Sequence, residues 1–335
     1  MSHDTSHRFL IVRLGSLGDV VHGIPVAAAL RERFPSARID WMVDPRYVEL
    51  LGHVHGIDAL IPVSPRRGPL AMLSSVLALR LVEYTAAIDL QGLLKSAVLA
   101  RAVGAWRTIG FQKAHLREPM ARFFYTDMPE PGEREHVVYK NLALLSPLGV
   151  RDFRPSFPIG ASVTAVAEET GERLGGQYAL ISPGAGWPNK RWPTERFGAV
   201  ASVLRDTLGL RSVVIWGPGE EAMALAVVAA SRGAAELAPS TSVSDLLGIA
   251  RGARVMIAGD TGPLHLAAAV GTPVVAIFGP TIGQRNGPWN ASDLIVSRTD
   301  RCSCLYARRC RKAAPCINEI TVDEIVDAVV RRLGS

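Results

Sequence analysis

Residues 254–281, RVMIAGDTGPLHLAAAVGTPVVAIFGPT, constrain the fold of this chain more than any other stretch. The apolar run at 255–258 has no polar alternation, which is typical of a strand buried on both faces of a parallel sheet. A glycine- and proline-containing break follows, then a short alanine-rich helix at 264–270 and a second buried strand at 274–278. The order strand, loop, helix, strand predicts an α/β fold with a parallel sheet.

The loop inside this stretch predicts a phosphate site. Ligands of open α/β sheets bind beyond the carboxyl ends of the strands. A helix N-terminus there presents free N–H groups and a partial positive charge to an anion. Asp260, Thr261 and His265 would then stand at the rim of the site. A turn capped by Asp260 or Thr261, with no ligand, explains the same residues, so the stretch alone leaves both interpretations open.

Strands and helices alternate in two sets along the chain. We expect strands at 8–14, 38–43, 59–63 and 86–90 in the first set, and at 179–182, 212–216, 255–258 and 274–278 in the second. Residues 150–160, VRDFRPSFPIG, have no periodicity and two prolines, which is typical of a linker. The sequence predicts two Rossmann-like, doubly wound domains, 1–155 and 156–320, with a ligand cleft between them. A terminal helix at 321–335 would be able to pack back on the first domain.

Composition limits the classes of partner. The 335 residues are 48% hydrophobic and 20% charged, which is typical of a globular protein, and the net charge of +6 favours an anionic partner. No recognition helix or zinc finger is present, so nucleic acid is not expected. No signal peptide pattern and no apolar run of about 18 residues are found, which predicts a cytoplasmic protein, at most peripheral to a membrane. Residues 70–82, preceded by Arg66 and Arg67, fit either a membrane-docking segment or a buried helix.

The cysteines lie close together near the C-terminus. They are Cys302, Cys304, Cys310 and Cys316, in the pattern C-x-C-x5-C-x5-C. In a cytosolic protein such clustering favours a metal or redox role over structural disulfides. Because the spacing matches no known zinc motif, reduced thiols are the default expectation and a metal clip is the alternative.

Asp19 follows the first predicted strand in the sequence GSLGD. Glycines in such a loop let the backbone approach a ligand closely. The spacing is not that of the dinucleotide fingerprint G-x-G-x-x-G, which argues against a dehydrogenase. Asp19 fits a general base for an acceptor hydroxyl, or equally the N-cap of the next helix.

Two further loops of the second half carry candidate ligand groups. SPGAGWPNKRW, at 182–192, offers Ser182 and Gly184 for close approach and Lys190 as a cation for a diphosphate. Glu220 and Glu221 follow WGPG, where one of them would bind a ribose or stabilise a helix N-terminus. In the first half, basic side chains crowd the loops and fit either a wall for an acidic acceptor or a solvated surface; they include Arg66, Arg67, Lys95, Lys113, His115 and Arg117.

The motifs together resemble glycosyltransferase family 9, the bacterial heptosyltransferases of lipopolysaccharide core assembly. They occur in the order GSLGD, DLQGLLKS, REP, KRWP, GDTGPLHLAAA and FGPT, over nearly the whole chain. IDLQGLLKSA and LREPMARFFY are most similar to heptosyltransferase I, which adds the first heptose to Kdo on lipid A. The C-terminal cysteines resemble the second heptosyltransferase more closely, so another step of the family stays open.

The resemblance implies a GT-B fold and an inverting, metal-independent transfer without a cofactor. It places the acceptor, of the Kdo-lipid A type, on the N-terminal domain and ADP-heptose on the C-terminal domain, at the cytoplasmic face of the inner membrane. Asp19 would be the catalytic base. The donor would meet Lys190, Glu221, Asp260, Thr261 and Gly262, with His265 supporting their loop, and the acceptor would meet Arg66, Arg67, Lys95 and Arg117.

Two other functions are compatible with the same motifs. A sugar-nucleotide epimerase would use the fold without a lipid acceptor, and a sugar-nucleotide binding module would perform no chemistry. An acceptor-dependent transfer assay discriminates between all three.

Overall fold

A computed structural model of the protein describes residues 7–131, 136–151 and 154–334, except for the side chains of Arg67, Pro69 and Ala71. The chain divides into two compact units, Met1–Gly160 and Ala161–Ser335. None of the helices described is long and apolar enough to cross a bilayer.

The described part of the first unit contains a parallel five-stranded sheet in the order β3-β2-β1-β4-β5. Its strands are β1 (Arg8–Val12), β2 (Arg38–Val43), β3 (Ala59–Pro62), β4 (Ala86–Asp89) and β5 (Arg107–Ile109). Its helices are α1 (Leu17–Arg33), α2 (Val48–Gly52), α3 (Pro69–Leu77), α4 (Leu94–Ala102) and α5 (Val137–Ala143). β1 and β4 are almost wholly buried, as expected for central strands covered on both faces.

The described part of the second unit contains a parallel six-stranded sheet in the order β11-β10-β9-β6-β7-β8. Its strands are β6 (Tyr178–Ser182), β7 (Arg211–Val214), β8 (Ala235–Leu237), β9 (Val255–Gly259), β10 (Val274–Phe278) and β11 (Leu294–Ser297). Its helices are α6 (Ala165–Arg173), α7 (Thr194–Leu208), α8 (Glu221–Ala230), α9 (Val243–Gly252), α10 (Gly262–Ala269), α11 (Gly283–Asn286) and α12 (Val322–Leu333).

Both sheets reverse their strand order beside a central strand. In the first unit the chain moves outward from β1 through β2 to β3, and then returns to place β4 on the other side of β1. In the second unit β6 has β7 on one side and β9 on the other. Such a reversal leaves a crevice at the carboxyl ends of the two strands, where doubly wound folds bind their ligands. A ligand site is therefore expected at the loops after β1 and β4 in the first unit, and at the loops after β6 and β9 in the second.

Local differences from the expected elements have simple causes. α1 begins at Leu17 rather than Val20, because Ser16 is its N-cap residue and Asp19 lies in its first turn. Met72 and Val76 of α3 are buried in the core, so the buried-helix interpretation of residues 70–82 holds for that face. β8 and β11 were not expected, since each is a short strand at a sheet edge. In the described residues before the predicted linker, α5 is followed by a short 3-10 turn at Ser146–Leu148.

The terminal helix α12 covers part of the second sheet. Thr321 and Glu324 form the expected capping box at its start. Ile325, Ala328 and Val329 are buried in the hydrophobic core of the second unit, beside α7, β10 and β11. The helix thus stabilises the unit that contains it, and a contact with the first domain stays a prediction.

Candidate active site

Asp19 lies at the carboxyl edge of the first sheet, in the first turn of α1. Its Oδ2 accepts hydrogen bonds from the backbone N and the Oγ of Ser16, each at 3.0 Å. Its Oδ1 pairs with Nη2 of Arg13 at 2.5 Å. The Asp19 side chain is 40% exposed, so the carboxylate remains accessible although it helps to cap the helix. Capping and catalysis are therefore compatible roles for this residue, since Ser16 and not Asp19 is the N-cap.

The adjacent loop after β4 holds Arg13 in place. Arg13 is largely buried, and its Nη1 donates to the carbonyl of Leu90. The side-chain oxygen of Gln91 accepts from the backbone N of Leu14 at 3.0 Å. These bonds join the loops after β1 and β4, which are neighbours because the strand order reverses there. The Arg13 guanidinium is therefore held in place beside Asp19.

Asp89 anchors the β4 loop and was missed by the sequence reasoning. Its carboxylate is fully buried and accepts from Tyr125 Oη at 2.7 Å, Ser96 Oγ at 2.9 Å and the backbone N of Gln91 at 2.8 Å. Burial raises the pKa of Asp89, and the hydrogen bonds from Tyr125 and Gln91 oppose that change. The motif DLQG carried a signal for Asp89, because an acid at the end of a buried strand needs nearby hydrogen-bond donors.

Asp260 is the centre of the corresponding site in the second unit. Its Oδ2 contacts Lys190 Nζ at 2.5 Å and accepts from Thr281 Oγ1 at 2.8 Å, and its Oδ1 lies 3.2 Å from His265 Nε2. The Asp260 side chain is only 8% exposed. Burial raises the pKa of this carboxyl, but His265 and Lys190 outweigh burial and hold the pKa well below its usual range.

These contacts bring together residues far apart in sequence. The structure joins the predicted residues Lys190, Asp260 and His265, and adds Thr281, which the FGPT motif contains. Lys190 also lies 4.3 Å from the ring centroid of Trp187, which further orients the ammonium group. A cation held at the crevice between β6 and β9 is suited to an anionic ligand.

Thr261 and Gly262 place a helix N-terminus at the same edge. Thr261 is the N-cap residue of α10 and Gly262 its first residue. In this described segment the Thr261 side-chain oxygen accepts no hydrogen bond from the first-turn amides, and Asp260 is engaged with Lys190 and His265 instead. The first amides of α10 are consequently available to an anion rather than to a side-chain cap.

Glu220, rather than Glu221, reaches the loop after β6. The Glu220 carboxylate accepts from Gly217 N at 3.1 Å. A Cβ at Gly184 would lie 2.1 Å from Glu220 Oε2, so only glycine allows this acid to lie against the loop that begins at Ser182. Glu221 is exposed in the first turn of α8. From sequence the adjacent acids were indistinguishable, because their orientation depends on where α8 begins.

The basic residues of the first unit lie at the same sheet edge as Asp19. Lys95 begins α4, and Arg117 precedes a 3-10 helix at Pro119–Phe124. Glu118 accepts from Leu94 N at 2.7 Å, which joins these two segments. Arg66 lies in the turn after β3 and is exposed, while the Arg67 side chain lies outside the described residues. The segments that carry Lys95 and Arg117 are thus joined, whereas Arg66 follows β3, at the other end of the sheet order.

The cysteines approach one another but do not form a metal centre. Cys302 Sγ and Cys304 Sγ are 3.6 Å apart, and Asn189 Nδ2 lies 3.8 Å from Cys304 Sγ. Burial, followed by the neighbouring thiols Cys310 and Cys302, raises the pKa of Cys304 to about 11. In the part of the chain that the structure describes, no group of three or more His, Cys, Asp or Glu side chains is arranged to hold a metal ion. The arrangement therefore gives the metal-clip alternative no support.

Comparison with protein families identifies the chain. The model of glycosyltransferase family 9 (heptosyltransferase) matches residues 72–314, which include the β4 loop and every loop of the Asp260 site. The chain belongs to glycosyltransferase family 9. This confirms the family expected from the motifs and shows that the protein is a glycosyltransferase.

Individual relatives of this family 9 enzyme span most of its length. Lipopolysaccharide heptosyltransferase 1 of Escherichia coli strain K12 is 28% identical over 286 residues, 82% of this chain and 88% of that protein. Lipopolysaccharide heptosyltransferase 3 of the same strain is 27% identical and covers 81% and 82%. The structure of E. coli heptosyltransferase WaaC with ADP-2-deoxy-2-fluoro heptose has a TM-score of 0.74 and 25% identity over 96% and 98% of the chains. The predicted α/β GT-B fold is confirmed.

Proposed function

We propose that this family 9 enzyme transfers heptose from ADP-heptose to a Kdo hydroxyl of the lipopolysaccharide inner core. The family assignment and the heptosyltransferase 1 relatives support the reaction class. The observation that carries the proposal to this chain is the pair of strand-end sites. One presents an accessible carboxylate and the other a lysine beside a helix N-terminus.

The second unit would bind the donor diphosphate. Lys190 and the backbone amides of Thr261 and Gly262, at the N-terminus of α10, would supply positive charge at the crevice between β6 and β9. Asp260 does not itself attract a diphosphate, and its role is to hold Lys190 and His265. Glu220 would meet the ribose from its place beside Gly184, which replaces the expected Glu221 in that role. Ser182 and Gly184 would line the loop that the donor approaches.

The first unit would bind the acceptor and supply the base. Asp19 would accept the proton of the Kdo hydroxyl, whose oxygen attacks the anomeric carbon of the heptose. The bond from that carbon to the diphosphate breaks, and ADP leaves with the electron pair. A single displacement inverts the anomeric configuration, and it requires one base rather than two carboxylates. Lys190 and the α10 amides would stabilise the charge that develops on the leaving diphosphate, so no divalent metal is required.

Arg13 would orient the base. It fixes one Asp19 oxygen while Ser16 holds the other, so the remaining lone pairs of Asp19 point in defined directions. The acceptor hydroxyl would displace the Ser16 hydroxyl from Oδ2. Lys95, Arg117, Arg66 and Arg67 would attract the carboxylates and phosphates of a Kdo-lipid A acceptor. Such an acceptor is anchored in a bilayer, which would place the enzyme at the cytoplasmic face of the inner membrane.

Incubation of the purified enzyme with ADP-heptose and Kdo-lipid A, followed by mass spectrometry, tests this proposal. We expect acceptor mass to increase by one heptose residue, with one ADP released per transfer. Transfer only to an acceptor that already carries heptose would support a later step, as in the second or third heptosyltransferases. Conversion of the sugar nucleotide without an acceptor would support an epimerase, and binding without any turnover would support a binding module. Each of these three results would overturn the proposed Kdo transfer.

A further inference from the structure

The 3-10 helix at Pro119–Phe124 exposes two large apolar side chains. Met120 is 60% exposed and Phe123 is 64% exposed. In a 3-10 helix, residues three apart lie on the same side because each turn contains three residues. Met120 and Phe123 therefore share the outer side, while Ala121 and Phe124 face the small core formed with Leu116. The exposure of Met120 and Phe123 therefore follows from the geometry of the 3-10 helix.

Cations without carboxylate ion-pair partners occur on the same segment as these two side chains and on the helix that is hydrogen-bonded to it. Arg122 lies over the Phe123 ring at 4.6 Å, and Lys113 and Arg117 are exposed on the preceding residues. Lys95 lies at the start of α4, which hydrogen-bonds to Glu118. Across the described ranges, no carboxylate lies within ion-pair distance of any of these four cations. Exposed apolar side chains accompanied by cations match the interface of an anionic bilayer, where aromatic rings insert and cations contact the lipid headgroups.

The position of this segment separates it from Leu81 and Trp106, two other exposed apolar side chains. The segment follows β5 and so lies at the carboxyl edge of the sheet, the same edge as Asp19. Leu81 (88% exposed) and Trp106 (72% exposed) precede β4 and β5 and therefore lie at the opposite edge. The cations next to Leu81 and Trp106 in the sequence already have partners, since Arg107 pairs with Asp127 and Arg80 donates to the carbonyl of Ala102.

We propose that Met120 and Phe123, with Lys95, Lys113, Arg117 and Arg122 around them, form a surface that inserts into an anionic lipid bilayer. This inference rests on the proposed function in one respect: membrane docking would bring a lipid-anchored acceptor to the edge that carries Asp19. The apolar pair enters the headgroup region, and the cations contact lipid phosphates. A bilayer engaged at this edge presents its embedded sugars at the same level as the β1 and β4 loops.

Flotation with acceptor-free vesicles tests the surface independently of any transfer reaction. Vesicles of phosphatidylglycerol and phosphatidylethanolamine are compared with vesicles of phosphatidylcholine alone. We expect the wild-type chain to float with the anionic vesicles and not with the neutral ones. The double variant M120E/F123E should partition at least about tenfold less, because two anions replace the inserted side chains. The matched control L81E, at the opposite edge, should float as the wild type does.

Several results would contradict the proposal. Equal flotation of M120E/F123E and the wild type would exclude the surface, as would a loss caused by L81E alone. For each variant, an unchanged far-UV circular dichroism spectrum and an unchanged melting temperature show that the fold is retained. If M120E/F123E fails to fold, the charge-neutral variant M120S/F123S replaces it, with the same expected loss. Absence of heptosyl transfer by a wild-type enzyme that floats would overturn the proposed function and leave the docking surface standing.

Discussion

Each unit has an aspartate at a strand end beside its strand-order reversal, and the surroundings of the two aspartates are opposite. Asp19 follows β1 and Asp260 follows β9, each beside the reversal in strand order. Asp19 is 40% exposed with one arginine and one serine as partners, whereas Asp260 is 8% exposed and contacts a lysine, a histidine and a threonine. An accessible carboxylate is able to receive a proton from a substrate hydroxyl that reaches it. A buried carboxylate enclosed by its partners is a structural anchor.

The difference shows how one fold supports two tasks. In the first unit the strand-end carboxylate is the group proposed to react, and Arg13 only orients it. In the second unit the carboxylate orients Lys190, and the lysine is the group proposed to meet the ligand. If the two roles were exchanged, the reactive base would lie at the buried Asp260 position, where a substrate hydroxyl does not reach it. The ligand-binding cation would then lie at the Asp19 position, where the acceptor is proposed to bind. Four predictions test this division, beginning with the largest effect.

Asp19→Asn should reduce kcat for heptosyl transfer by about 10²–10⁴, since the amide cannot take the hydroxyl proton. Affinity for ADP, measured by isothermal titration calorimetry, should remain within about twofold of the wild type, because the proposed donor site lies on the second unit. Asp58→Asn is the matched control, since Asp58 is 43% exposed and also pairs with an arginine. Wild-type turnover by Asp19→Asn would remove Asp19 from the mechanism.

Asp260→Asn should destabilise the second unit by about 3 kcal/mol at pH 7, because Lys190 would lose its buried partner. The sign of the pH dependence follows from the lowered pKa of Asp260 in the folded state. A depressed folded pKa contributes stability above the unfolded value of about 3.9, and this contribution is lost as the pH falls below it. The difference between variant and wild type should therefore begin to shrink as the pH falls below about 4 and should keep shrinking toward the lower pKa of the folded state.

Urea unfolding at pH 7, 5 and 3 measures this difference, and Asp300→Asn serves as a control because Asp300 is highly exposed. A constant difference over the whole pH range would show that the carboxylate charge is not what stabilises the site.

Lys190→Met should weaken ADP binding by about 10- to 100-fold, which corresponds to the loss of one hydrogen bond to a charged group. The methionine keeps most of the apolar length of the side chain beside Trp187. Titration calorimetry measures the change, and Lys312→Met is the control at an exposed lysine of the same unit. An unchanged dissociation constant would mean that Lys190 serves only Asp260 and that the donor lies elsewhere.

Removal of divalent cations should have the smallest effect. With EDTA in large excess over the divalent cations of the assay, transfer should stay within about twofold of the untreated rate, because Lys190 and the α10 amides are the groups proposed to stabilise the charge on the leaving diphosphate. Loss of activity that Mg²⁺ restores would assign that charge to a metal and reduce Lys190 to a positioning role.

Much of the architecture was predictable because its signals are local. Unalternated apolar runs separated by helical spacing indicate parallel strands, and β6, β9 and β10 lie within a residue of where the runs predicted them. The edge strands β8 and β11 were missed, since three or four residues with mixed burial carry too little pattern. The candidate site was predictable in outline, as loops at strand ends, and in family, from the order of its motifs.

The sequence by itself determined the fold class, the family and the loops that carry Asp19, Lys190 and Asp260. Only the tertiary structure decided which acid is buried, which of Glu220 and Glu221 reaches the β6 loop, and that Asp89 and Thr281 complete the two sites. The reason is the range of the interactions. Strand and helix periodicity is set by near neighbours, whereas the partners that set exposure and charge, such as Lys190 for Asp260, lie 70 residues apart.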